Sequence, residues 1–412
     1  MKKLVWIAGL ASVAALWAAL GWEGPQSQSI ATVASKEAAP PPRDTVMEQF
    51  SAALTAYIEE KRIAEPLPGL ALAVVKEGKL GYEKVWGVRD VTTGAPLDAH
   101  SVFRLASLSK CFAPILAATL IEEGKLSWDD KVAAYVPDFR LRDKKAGQNL
   151  SLRQVLSHTT GLPRHTYSNL LNAGVTYPEI RRRLREVTLS HPLGSTYNYQ
   201  NAAYNLSADM IAAAGQAAYD SLMQVRVFDP LGMKDASVGY EPMLRSSNAA
   251  QPHNPVENGF ARIEIEPNYY ETPAAAGVNA SLRDMEKWLQ FLMRKKPGII
   301  SDSLRREIFT PVVEVSTAEK NFYGWEHLDR AWYALGWRVL EWKGRTLIYH
   351  GGMVNGYRTE IAFDPVERIG YVLLANGFAN FLGKATEDIF QLWDVAQPVM
   401  PVDSSGAGEN FN

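Results

Sequence analysis

The segments of this chain with strand character lie at its two ends, and most of what separates them is helical. Near the N-terminal side, Leu70 to Val75 and Leu80 to Val88 are apolar runs joined at Lys76-Glu-Gly-Lys79, the pattern of a β-hairpin. In the C-terminal third, Ala331 to Leu340, Thr346 to Tyr349, Tyr357 to Asp364 and Gly370 to Ala375 are short, aromatic and β-branched. Lys343-Gly344, Gly351-Gly352 and Asp364-Pro365 read as the turns between them. One antiparallel sheet completed from both ends of the chain, with helices against it, accommodates this order. The expected fold class is α+β, an α/β sandwich, with a mainly helical lobe over about residues 126–272 inserted into it.

Several helices have legible boundaries. Asp44 or Thr45 can cap a helix running to about Arg62, with Val46, Phe50, Leu54, Tyr57 and Ile58 on one stripe, and Pro66 and Pro68 end it. Within the lobe, Leu152 to Leu156, Tyr177 to Val187, Asn205 to Tyr219 and Ser221 to Phe228 have helical character. Ser281 to Met293 is amphipathic and opens with a Ser281-x-x-Asp284 cap. A last helix over about Lys384 to Val395 precedes a polar tail at 397–412.

At the other end, Lys2 and Lys3 precede an uncharged run from Leu4 to Leu20. Residues 1–21 therefore read as an export signal or a membrane anchor, and 22–44, rich in Pro, Ala and Ser, as a tether to a folded domain over 45–396. Export implies a periplasmic location, with inner-membrane anchoring through residues 4–20 as the alternative. The net charge of −2 leaves no basic footprint, which excludes nucleic acid as the main partner. Seven histidines are scattered without a His-Glu-x-x-His spacing, so no metal and no cofactor is expected. The single cysteine, Cys111, excludes an intramolecular disulfide and a lipid-attachment cysteine in the leader.

Chemistry concentrates first at Ser107 and Lys110. Three residues apart on an apolar helical stretch, their side chains leave the same face and touch. A lysine desolvated by apolar neighbours loses basicity toward protons and, as the neutral amine, can take up the serine proton. A serine at the helix start also lies beside the positive end of the helix dipole. Such a nucleophile needs a proton relay, donors for an oxyanion and a substrate anchor. Tyr199-Gln200-Asn201 offers a phenol and an amide, and His350-Gly351-Gly352 offers glycines past which a substrate backbone can approach closely. Pro114 falls inside the same helical stretch and leaves the Lys110 carbonyl without its helical donor, so a bend or another donor is expected there.

The order Ser107-x-x-Lys110, Tyr199-x-Asn201, His350-Gly351-Gly352 resembles the serine β-lactamase and penicillin-binding protein superfamily, in particular class C β-lactamases with their related D-alanyl-D-alanine peptidases and esterases. Leu156-Ser-His-Thr-Thr-Gly-Leu-Pro163, Phe228-Asp-Pro-Leu-Gly-Met233, Pro273-Ala-Ala-Ala-Gly277 and Ala334-Leu-Gly-Trp337 are similar to the same group, over about Asp44 to Trp393. The resemblance implies Ser107 as nucleophile, Lys110 and Tyr199 sharing the proton transfers, Asn201 orienting substrate, and an oxyanion held between the N–H groups of Ser107 and Met353. His350 stands where β-lactamases usually carry lysine, and His165 borders the acyl-binding cleft. The implied reaction is hydrolysis of a β-lactam amide; D-alanyl peptides of the cell wall, or small esters, are the alternative substrates, and a non-catalytic wall-binding protein is the last alternative. Tyr167-Ser168-Asn169 also fits the tyrosine motif, but the surroundings of Tyr199 and its distance from Ser107 match the group better.

Overall fold

The computed structural model describes residues 44–397 apart from 295–297, 320–321 and 323. The expected leader over 1–21, the tether up to residue 43 and the tail from residue 398 lie outside the described residues. The first described helix, α1 (Thr45–Ala64), leads into the hairpin β1 (Gly69–Lys76) and β2 (Lys79–Asp90), followed by the short β3 (Ala95–Pro96). After the helical lobe come β4 (Val313–Val315), β5 (Leu328–Tyr333), β6 (Arg338–Trp342), β7 (Arg345–Val354), β8 (Tyr357–Asp364) and β9 (Ile369–Ala375).

These strands form one antiparallel sheet in the order β3-β2-β1-β9-β8-β7-β6-β5-β4. The first and last long strands are neighbours, with Leu70 opposite Ala375 and Lys76 opposite Ile369, so the two ends of the chain close the sheet as expected. Both faces of these central strands are covered. On β1, Leu70, Leu72 and Val74 pack toward one core while Ala71, Ala73 and Val75 enter the other, which is the period-two alternation of a strand. The first core lies under α1 and the last helix, α6 (Ala385–Ala396), where Phe50 meets Trp393 edge to face at 5.3 Å. The second lies under the lobe and α4 (Leu282–Leu292), whose Ser281 cap and reciprocal Asp284 bond form a capping box.

The remaining labelled helices are α2 (Phe112–Glu122), α3 (Leu206–Gly215) and α5 (Asp302–Phe309). Among the described residues no helix is long and apolar enough to cross a membrane. The lobe is not purely helical: His253–Val256 and Gly259–Arg262 form a hairpin, and Ser237–Val238 joins a small sheet with Val102–Arg104 and Val278–Ser281 from outside the lobe.

Two strand readings need correction. Ala331 to Leu340 is two strands rather than one, broken at Ala334–Trp337, where Gly336 takes a left-handed φ of +76°. A Cβ at Gly336 would lie 2.5 Å from the Lys110 carbonyl oxygen, so this turn rests directly on the Ser107 segment. Gly351 and Gly352 are no turn but the interior of β7, which runs on to Val354. The glycine signal there marks close packing against protein, as the next section describes.

Candidate active site

Strand Val102–Arg104 delivers the chain to a 3₁₀ turn, Ala106–Cys111, that passes into α2 at Phe112. The three-residue period of that turn stacks Ser107 over Lys110, where the sequence suggested an α-helix. Ala106 is held at a left-handed φ of +51°, a strain on the order of 1 kcal/mol for a residue with a Cβ. It is fixed by bonds on either side, because the Leu105 carbonyl accepts from Thr359 Oγ1 at 2.9 Å and from the Leu108 N–H at 3.1 Å. Pro114 falls in the first turn of α2, where its missing N–H breaks no helical bond. The Lys110 carbonyl has the substitute donor expected for it: Tyr204 Oη donates at 2.8 Å.

Lys110 is fully buried, and desolvation holds its pKa well below the ordinary lysine value, with the Arg338 charge pushing the same way. Its Nζ contacts Asn201 Oδ1 at 2.8 Å, the Ala275 carbonyl at 2.9 Å and Ser107 Oγ at 3.3 Å. The two carbonyl oxygens can only accept. A neutral amine therefore spends both N–H groups on them and turns its lone pair toward the serine hydroxyl. Tyr199 Oη donates to the same Ser107 Oγ at 2.8 Å, and burial raises its pKa above the ordinary tyrosine value. The two shifts run in opposite senses: burial favours the proton-free amine on Lys110 and the protonated phenol on Tyr199.

Met353 follows from strand register. Asn355-Gly356 closes a two-residue loop between Val354 and Tyr357, so the next pair, Met353 with Arg358, is not hydrogen-bonded and the Met353 N–H points away from β8. On its other side, β7 pairs with β6 only as far as Tyr349, leaving His350 to Val354 an open edge. The Ser107 N–H, in the first residues of a 3₁₀ turn, has no intrahelical acceptor either. A Cβ at Gly352 would sit 3.2 Å from that nitrogen and 2.4 Å from both the Leu105 carbonyl and Thr359 Oγ1. Glycine is required at 352 for the strand to lie on the Ser107 turn, where a side chain would meet Leu105 and Thr359, while Gly351 and Gly352 both line the cavity.

His350 is buried at 1% exposure, and its Nδ1 lies 2.9 Å from the Gly351 carbonyl, which can only accept. The ring proton is thus on Nδ1, and Nε2 accepts from Tyr333 Oη at 3.1 Å. Burial, then Arg338 and Lys110, drive its pKa well below the ordinary histidine value. The position that carries a fixed cation in β-lactamases therefore holds a neutral imidazole here.

His158, present in the sequence pattern only as part of the Leu156-to-Pro163 stretch, also joins these groups. Fully buried, it accepts the Gln200 N–H on Nδ1 at 3.2 Å and packs against four tyrosines with ring centroids 4.5 to 5.8 Å away. Each tyrosine holds a different part of the site: Tyr199 Ser107, Tyr204 Lys110, Tyr333 His350, and Tyr197 Arg338. The signal was present in the density of tyrosines at 197, 199 and 204, but only folding brings Tyr333 to them.

Ser107, His165, Tyr199, Asn201 and residues 350–353 all line one cavity of about 890 Å³. His165 is exposed at the rim, and its ring centroid is 5.6 Å from that of Tyr199. Tyr167 stands apart, donating to the Arg183 carbonyl at 3.1 Å. Among the described residues there is no cluster of side chains able to hold a metal ion.

A cavity lined by a serine and a phenol, with a buried lysine amine behind them, on a sheet closed by both chain ends, is an arrangement suited to a serine nucleophile. A family model described as Beta-lactamase matches residues 54–392, and the chain belongs to that family, within the superfamily of serine hydrolases that includes the penicillin-binding proteins. It is 27% identical over 351 residues to the unguisins hydrolase ungD of Aspergillus violaceofuscus (strain CBS 115571), covering 77% of this chain and 60% of that protein. To protein flp of Staphylococcus aureus (strain MW2) it is 23% identical over 333 residues, covering 78% and 62%. The chain thus spans about three fifths of the length of these curated relatives. The octameric penicillin-binding protein homologue from Pyrococcus abyssi has the same fold, with a TM-score of 0.72 at 23% identity over 82% of this chain and 77% of that one.

Proposed function

We propose that this protein is an exported serine hydrolase that opens amide bonds of β-lactam type through an acyl-enzyme on Ser107. The observation that carries this reading is the convergence of Tyr199 at 2.8 Å and Lys110 at 3.3 Å on one partly exposed hydroxyl. Lys110 takes the proton of Ser107 Oγ as that oxygen attacks the carbonyl carbon. The carbonyl oxygen becomes an oxyanion received by the N–H groups of Ser107 and Met353. Tyr199 gives its proton to the departing nitrogen and is reprotonated from Lys110. Water then attacks the ester by the reverse path and releases Ser107. A periplasmic location, with residues 4–20 as leader or anchor, would put the site beside cell-wall substrates.

A second reading, D-alanyl peptide or small-ester hydrolysis, is favoured by the neutral His350, which offers no fixed charge to the carboxylate of a β-lactam. Incubation with penicillin followed by intact mass measurement tests both. Fast product release without a lasting adduct supports the β-lactamase reading, and a lasting adduct on Ser107 supports the peptidase reading. Product or adduct that persists in Ser107→Ala refutes the acyl-enzyme itself.

A further inference from the structure

The cavity carries opposite charge at the two ends of its open strand edge, and the acyl-transfer steps use neither. At the His350 end, Arg338 lies opposite Tyr349 in register and shares Glu319 with Arg164, at 2.9 and 2.5 Å, so two guanidinium groups face one carboxylate. At the other end, the Asn355-Gly356 turn abuts the segment that follows the lobe hairpin. Asn254, Glu264 and Glu266 line the cavity there together with Asn355.

Neither carboxylate of this second wall is neutralised by a side-chain ion pair. Glu266 accepts only from amides, those of Asn355 and Asn268, the latter at 2.7 Å. Glu264 is exposed and has no hydrogen-bond or ion-pair partner among the described residues. The neighbouring cations make their hydrogen bonds to other groups, although the buried Arg104 is close enough for its charge to act on Glu266. Arg104 is buried, donates to the backbone carbonyls of Glu266 and Asn268, and stacks on Tyr270 at 3.9 Å; Arg262 pairs with Asp90 at 3.0 Å. The wall is also anchored: Tyr357 Oη donates to the Ala250 carbonyl, and Gly356 packs so closely that a Cβ there would be 2.7 Å from the His253 nitrogen.

We infer, resting on the acyl-enzyme reading above, that the preferred substrate is an extended peptide-like acyl donor carrying an ammonium or guanidinium group, received by Glu264 and Glu266. With the scissile carbonyl at Met353, two further strand residues place that cation about 7 Å along the edge, one or two residues from the bond that breaks. Exposed carboxylates discriminate modestly, so the preference is about five- to tenfold in kcat/KM and weakens with salt.

The test uses a matched pair of dipeptide p-nitrophenyl esters, one with a free N-terminal ammonium and one N-acetylated, against the wild type and a Glu264→Gln, Glu266→Gln double variant. The expected result is a wild-type preference for the ammonium ester that falls toward one in the variant. A wild type that does not distinguish the two esters, or a variant with the preference intact, overturns the inference. Labelling of Ser107 by a small uncharged fluorophosphonate is followed in parallel to report folding and the nucleophile. If Ser107 labels but the ester ratio is flat, the charge assignment alone fails. If folded wild-type protein never labels, the acyl-enzyme reading fails and takes the substrate inference with it.

Discussion

Lys110 and Arg164 are both cationic side chains beside the same cavity, and they meet water very differently. Lys110 has no exposed surface and is pushed by desolvation toward the neutral amine, whereas the Arg164 side chain is 43% exposed and shares a carboxylate with Arg338. His158 and His350 at the floor resemble Lys110 in being buried and held neutral; Glu264 at the rim resembles Arg164 in being exposed. The contrast separates two uses of an ionisable group. Burial makes a proton carrier by penalising the charge, and exposure keeps a charge available for recognition.

The contrast is sharpest in substitution at the two levels. Lys110→Met, which preserves shape and removes the base, is expected to slow acylation of Ser107 by about 10³-fold, while Arg164→Gln at the rim changes it less than tenfold. Rates of covalent labelling measure both, and comparable losses would erase the distinction. Tyr199→Phe is expected to cost on the order of 10²-fold in the same assay by removing the relay proton. Tyr167→Phe, whose hydroxyl reaches only the Arg183 carbonyl, leaves the rate within about twofold; the opposite pattern would move the relay to Tyr167.

The fold was largely legible from patterning because both chain ends alternate on a two-residue period and α4 carries its own capping box. The grouping of Ser107 with Lys110 was legible because it is local. Non-local partners were not: the Ala275 carbonyl on Lys110, the four-tyrosine ring around His158 and the unneutralised wall at Glu264 depend on segments more than 90 residues apart or on the absence of a neighbour, and neither leaves a periodic trace. The glycines at 351 and 352 misled for a related reason. Gly-Gly signals a turn in local sequence, but here Gly352 permits a tertiary contact with Leu105.

The buried floor also predicts how stability depends on pH. His158 and His350 have folded pKa values well below the ordinary 6.5, so below that pH the unfolded chain binds protons that the folded chain refuses. Stability is therefore complete above about pH 6.5 and falls on acidification, by up to about 1.4 kcal/mol per pH unit for each histidine. The ionisable groups facing His158 (Lys110, Arg338, His350 and His165) all act against its protonation to the extent that they carry charge, Arg338 being the permanent cation among them. Urea unfolding midpoints at pH 7.0 and 5.5 measure the slope. His158→Gln reduces it if the imidazole is one source, and an unchanged slope in that variant would place the source elsewhere.

Tyr204→Phe isolates a single hydrogen bond and bears on why a proline is tolerated beside Lys110. The phenol of Tyr204 donates to the Lys110 carbonyl at 2.8 Å, taking the place of the N–H that Pro114 lacks. Removing the hydroxyl while keeping the ring leaves a buried carbonyl without a partner, at about 1–3 kcal/mol of folding stability. The carbonyl is fixed to the same residue whose amine is the base, so the turn can also relax and shift Nζ relative to Ser107 Oγ, now 3.3 Å apart. Chemical denaturation and acylation rates of the one variant separate the two consequences. A stability loss with an unchanged rate means that the 3₁₀ turn is held from the sheet side, through Leu105, Thr359 and Gly336, and that Tyr204 serves only to satisfy the carbonyl. A rate loss larger than tenfold means that the tyrosine ring around His158 sets the position of the amine.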